Sequence, residues 1–111
     1  SSIADAYATI KVLQQEYNLT DVLLTPVQVA SEREAINIHK RINKVSGQFL
    51  GVSLDYATGI RKDASVLEAA RVGQPSVLHN PDGPLSEDVK RLADIVIDIE
   101  IEPGFNDAGP R

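Results

Sequence analysis

The sequence contains no cysteine, no methionine and no tryptophan, and only 5% of its 111 residues are aromatic. Without cysteine there is no disulfide framework, no thiolate metal site and no sulfur nucleophile. No apolar run exceeds a few residues, far short of the roughly 20 that a membrane-spanning helix needs. No charged stretch followed by an apolar one opens the chain, so a cytoplasmic setting is expected. The lack of methionine even at position 1 suggests a processed or excised piece. Positive charge is also in short supply: Lys+Arg 11 against Asp+Glu 16 gives a net charge of -5. That argues against a nucleic-acid footprint over the whole surface, and leaves room for one basic face. What is present is ordinary for a globular chain, with 42% apolar and 24% charged residues. The length fits one small domain or part of a larger one.

Apolar residues at Ile3, Ala6, Tyr7, Ile10, Leu13 and Tyr17 follow the spacing of one helical face. With Ser2 as cap and Asp5 in the first turn, they predict a helix over 3–17. Asn18 is its expected stop, because Asn tolerates the left-handed conformation. The run Asp21-Val22-Leu23-Leu24-Thr25-Pro26-Val27 reads as a strand over 22–25 covered on both faces. Pro26 forces an edge, a bulge or the strand's end. Ser31 and Glu34 form a capping box for a helix over 32–46. Its buried stripe is expected at Ala35, Ile38, Ile42, Val45 and Phe49, and its stop at Gly47. A second strand is expected at 53–56, with a turn through Thr58-Gly59. A short helix follows, capped by Asp63 or Ser65, with Val66, Ala69 and Ala70 inward and Gly73 at its end. Residues 75–78 read as an extended piece. Asn80-Pro81-Asp82-Gly83-Pro84 is a turn, and Ser86 is the expected cap of a last helix through Val89, Leu92, Ala93 and Val96. The chain divides into a single α/β domain or half-domain over 1–97 and an acidic tail over 98–111. Alternation of helix and strand predicts a partial three-layer α/β/α fold with parallel strands. Two strands are few for a sheet, which implies missing strands or strands borrowed from a partner.

Chemistry is sparse. Neither G-x-x-x-x-G-K-[ST] nor G-x-G-x-x-G occurs, so no phosphate cradle can be assigned. His39 and His79, the two histidines, lie in no zinc-binding spacing. His39, beside Lys40 and Arg41, reads as a solvated helix residue, and His79 as a loop residue. The acids Asp82, Asp88, Asp98, Glu100 and Glu102 read as turn formers and solvated surface. No metal site and no catalytic residue is assigned. The feature that stands out is the basic side of the 32–46 helix. Arg33, Lys40, Arg41 and Lys44 are its candidate partner-binding residues, suited to an acidic protein or a phosphate backbone.

The order of segments resembles the C-terminal half of a P-loop NTPase domain of the MinD/ParA-type deviant ATPases, and within them the flagellar-number regulators (FlhG/FleN). Ser2-Ile3-Ala4-Asp5-Ala6-Tyr7-Ala8-Thr9-Ile10-Lys11 is similar to the helix after that family's switch II. Ser31-Glu32-Arg33-Glu34-Ala35 with Ile38-His39-Lys40-Arg41-Ile42 resembles the helix after its next strand. Phe49-Leu50, Leu54-Asp55-Tyr56, Gly59-Ile60, Asp63, Ala69-Ala70 and Gln74-Pro75 resemble the stretch that follows. Pro81-Asp82-Gly83-Pro84 and Leu92-Ala93 match the final turn and helix.

The resemblance implies cofactor-binding positions at Val27, Arg61 and Asp63, which match the family's adenine pocket. Where the family has an adenine-contacting Asn, this chain has Val27, or Thr25 if the alignment shifts. Where it has Ile-Pro, this chain has Ile60-Arg61. Valine supplies none of the two-sided hydrogen bonding of an amide, so these positions are expected to be non-functional. Walker A and the switches would precede Ser1. ATP and Mg are therefore implied by the resemblance alone, with no cofactor expected on this chain by itself. The resulting expectation is a regulatory, non-enzymatic interaction domain that contacts a protein partner or dimerises with itself. The alternative is part of an ATPase that binds and hydrolyses ATP only with the N-terminal half present. Nucleic acid is not an expected partner. Neither is a membrane, because an acidic terminus with Pro103 and Pro110 is unlike a basic amphipathic anchor.

Overall fold

Helix α1, Ser2–Tyr17, realises the first apolar stripe and ends as its sequence predicts. Asn18 takes a left-handed φ of 59°, and this lets the N–H groups of Asn18 and Leu19 reach back to the carbonyls of Gln14 and Leu13, both at 3.1 Å. The computed structural model describes residues 2–100. The chain divides into two compact units, one ending at Arg61 and one beginning at Lys62.

In the first unit the two expected strands become four. β1 (Asp21–Leu24) pairs in parallel with β3 (Ser53–Tyr56), with Val22 opposite Leu54. β2 (Val27–Val29) pairs in parallel with β4 (Ile60–Arg61). Pro26 divides the first line of strand, as a residue without an N–H should. Pairing nevertheless carries across the gap, because Ala57 N–H donates to Leu24 O at 3.0 Å and Ile60 N–H to Pro26 O at 2.8 Å. The β2–β4 register slips between Val27 and Val29. The intervening Gln28 has a left-handed φ of 57°, the strained backbone of a bulged residue. Gly59 lies against the helix that follows β2. A Cβ there would stand 2.4 Å from Ala35 Cβ and 3.3 Å from Val29 Cγ2, so only glycine fits.

That helix, α2, covers Glu32–Leu50. Ser31 Oγ accepts from Glu34 N–H at 3.1 Å, and the Glu34 carboxylate accepts from Ala30 N–H at 3.2 Å, as a capping box requires. Gly47 does not stop it, contrary to expectation. The left-handed residue is Gly51, φ 66°, whose N–H returns to Ser46 O, so the helix gains a further turn. In that turn Phe49 is 67% exposed and leaves the predicted buried stripe. The core joins Ile10 of α1, Ile42 of α2, Val52 and Leu54, with Ile3, Ala6, Val22, Leu24, Ile38 and Leu50 packed around them.

Two-faced burial of β1 is not found. Its residues alternate, with Val22 and Leu24 half-buried and Asp21 and Leu23 exposed, Leu23 by 39%. In this unit α1 and α2 lie on the face of Val22 and Leu24.

The second unit holds α3 (Ser65–Arg71), α4 (Ser76–His79) and α5 (Pro84–Glu100). Of the three residues expected inward on α3, Ala69 is buried whereas Val66 and Ala70 are exposed. Gly73 ends that segment with φ 68°. Residues 76–79 are one helical turn and not the expected extended piece. Pro75 is the extended lead-in, and its carbonyl accepts from both Leu78 and His79. Helix α5 starts at Pro84, a residue pre-set for a first helical position. Ser86 is therefore inside the helix, buried, and donates to Asn80 O at 2.6 Å instead of capping. The helix continues through residues 98–100, where a tail was expected; the remainder of the tail, 101–111, lies outside the described residues. The molecule is a mixed α/β protein with short parallel strands, of the kind a partial α/β/α fold contains.

Candidate functional site

Two of the three positions tied to an adenine pocket come together. Val27 opens β2, 62% exposed, and its Cα partner on β4 is Ile60, the neighbour of Arg61. Val27 also borders a cavity of about 320 Å³ walled mainly by Ile3, Ala6, Leu24, Ile38 and Ile42, with Thr25 and Gln28 as its polar lining. Such a lining suits apolar groups and provides no cation for a phosphate.

Asp63 belongs to the second unit, and both of its carboxylate oxygens are already engaged there. Oδ1 accepts from Ser65 N–H at 2.9 Å and Ser65 Oγ–H at 2.7 Å, while Oδ2 accepts from Leu85 N–H at 3.2 Å. Asp63 thus satisfies one of the free N–H groups of the first turn of α5 from 22 residues upstream. The Ser65 hydroxyl and amide hold its carboxyl below the ordinary aspartate range, Leu85 adding to this and partial burial opposing it. Among the described residues, no group of three or more His, Asp or Glu is placed to hold a metal ion.

The four basic candidates share one side of α2. Arg33, Lys40, Arg41 and Lys44 are all exposed. After Glu34 the helix carries no carboxylate, so nothing on α2 itself offsets Lys40, Arg41 and Lys44. Beside this stripe, α1 and α2 enclose an open groove of about 640 Å³ lined by Ile3, Ala4, Tyr7, Arg41, Val45 and Phe49.

The other side of α2 carries polar residues that the sequence reading missed. His39 is no solvated residue. Its Nε2 stands 2.6 Å from Leu54 O and its ring lies 5.6 Å from that of Tyr56. Since a carbonyl only accepts, Nε2 carries the proton. One turn on, Asn43 Oδ1 accepts from Leu54 N–H at 2.8 Å. The i, i+4 pair His39 and Asn43 thus takes both backbone groups of one β3 residue, and the Tyr56 hydroxyl donates to the Glu32 carboxylate. The available signal was that spacing of two polar residues on a helix beside a strand. His79 ends α4, with Nδ1 3.2 Å from Gln74 Oε1.

The fold and these surfaces define a mixed α/β protein with a basic helix flanking an apolar groove. No protein-family model matches the sequence. The chain is similar to the antiactivator FleN of Pseudomonas aeruginosa, 35% identical over 71 residues, which are 64% of this chain and 25% of that protein. It spans about a quarter of that relative's length. The match supports a FlhG/FleN-like relationship.

Proposed function

We propose that this chain is a regulatory, protein-contacting portion of a FlhG/FleN-like antiactivator, within the wider MinD/ParA-type group, and that by itself it is not an enzyme. The observation that carries the reading is the 35% identity to a protein named as an antiactivator. An antiactivator acts by meeting another protein. The exposed Arg33, Lys40, Arg41 and Lys44, which have no ion-pair partner among the described residues, offer a surface for such a meeting. Among the described residues no helix is long and apolar enough to cross a membrane.

The competing reading, an ATPase part that binds and hydrolyses ATP only with the N-terminal half present, has Val27 against it. That side chain cannot hydrogen-bond a base. Titration of the chain alone with Mg-ATP is expected to give no saturable heat, and binding restored by co-expression with the N-terminal half would favour the competing reading. The test of the main reading is genetic: removing the coding region for this chain from the gene that carries it should raise transcription from activator-dependent flagellar promoters several-fold. Unchanged transcription would overturn it.

A further inference from the structure

We propose that the groove between α1 and α2 is the docking site for an acidic amphipathic helix of a partner protein, an inference that rests on the protein-contact reading above. The groove is apolar on both walls, with Ile3, Ala4 and Tyr7 on α1 and Val45 and Phe49 on α2. Phe49 at 67% exposure is a large apolar side chain left in water. Covering such a group is favourable in proportion to the area removed from water. A helix laid in a groove provides matching anchors at i, i+3, i+4 and i+7.

Charge selects the partner. Arg41 lines the groove itself, and Lys40 and Lys44 follow it on the outer side of the same helix, which has no carboxylate between Ala35 and Leu50. On α1, Asp5 and Glu16 outnumber Lys11, so the cationic excess belongs to α2 alone. This local excess of cations occurs on a chain of net charge -5, so an acidic helix is drawn to this surface and repelled by the rest.

A second copy is a poor occupant, because a two-fold contact through this surface brings the cationic rim of one copy to the same rim of the other. Duplex DNA would satisfy the cations and leave Tyr7, Val45 and Phe49 uncovered. Neither matches both halves of the site.

The test is a displayed library of short helical peptides panned against the whole chain. Enriched sequences should carry apolar residues at helical spacing flanked by Asp or Glu. A synthetic peptide of an enriched sequence should bind at least about tenfold more weakly to Arg41→Glu and to Phe49→Asp, with circular dichroism unchanged. Arg71→Glu, on α3, should bind like the parent chain. Enrichment of basic peptides, affinity indifferent to Arg41→Glu and Phe49→Asp, displacement of the peptide by duplex DNA, or binding of a peptide of residues 101–111 in its place would each overturn the proposal. If groove variants change nothing while deletion still raises promoter activity, the docking site falls and the antiactivator reading stands. The reverse pattern separates them the other way.

Discussion

Asp63 engages a hydroxyl and two amide donors with one carboxylate, and each of these bonds favours the charged form. Its folded pKa therefore lies below its unfolded one, and the linkage has a definite sign. The contribution is complete above the ordinary aspartate value and disappears as pH falls through the lower folded value. Urea unfolding of the parent chain and Asp63→Ala should differ at neutral pH and converge in acid; a pH-independent difference would refute the linkage. Asn43 gives a second residue-scale prediction. Asn43→Ala leaves the Leu54 N–H without its acceptor and should cost about 1–2 kcal/mol in denaturant unfolding. The sequence hid this role. His39 is followed in sequence by Lys40 and Arg41, and Leu54, its partner, is 15 residues away. Asp63 or Ser65 was the expected cap of α3, but Ala64 holds that position without a side-chain cap bond. The bonds of Asp63 to Ser65 are local, whereas its bond to Leu85 depends on a fold that brings distant residues together.

At the scale of elements, a glycine within α2 and the glycine that ends it should respond in opposite directions. Gly47 is helical, and a Cβ there meets only Val52 O at 3.9 Å. Gly47→Ala should therefore stabilise by about 0.5–1 kcal/mol through lower unfolded-state entropy. Gly51 has φ 66°, and Gly51→Ala should destabilise by about 1 kcal/mol. Thermal melts of the two variants check both, and like signs would contradict the assigned helix end. Most elements were readable because their determinants are local. Periodicity located α1, the capping box located the start of α2, and β3 falls on the expected residues. The misses share a cause: both Gly47 and Gly51 are acceptable stops by type, and packing of Ser46 and Val52 into the core selects the later one. Residues 76–79 were too few to show a period, and Ser86 resembles a cap until Asp63 is seen to serve the first turn instead.

Over the whole molecule, the basic stripe was visible in the sequence because four cations on one helix are a local pattern. The groove beside it was not, since its walls come from helices that no spacing rule connects. A net charge of -5 still governs long-range encounters. Duplex DNA at low salt should show no mobility shift with the chain, and a salt-sensitive shift abolished by Lys40→Glu with Lys44→Glu would instead mark the stripe as a phosphate reader. The clamp of His39 and Asn43 on Leu54 has its own consequence for how such molecules associate. A two-stranded ribbon normally offers two templates for further pairing, and so can grow without limit. Here His39 and Asn43 occupy both backbone groups of Leu54 on β3, so that residue offers no template to an incoming strand.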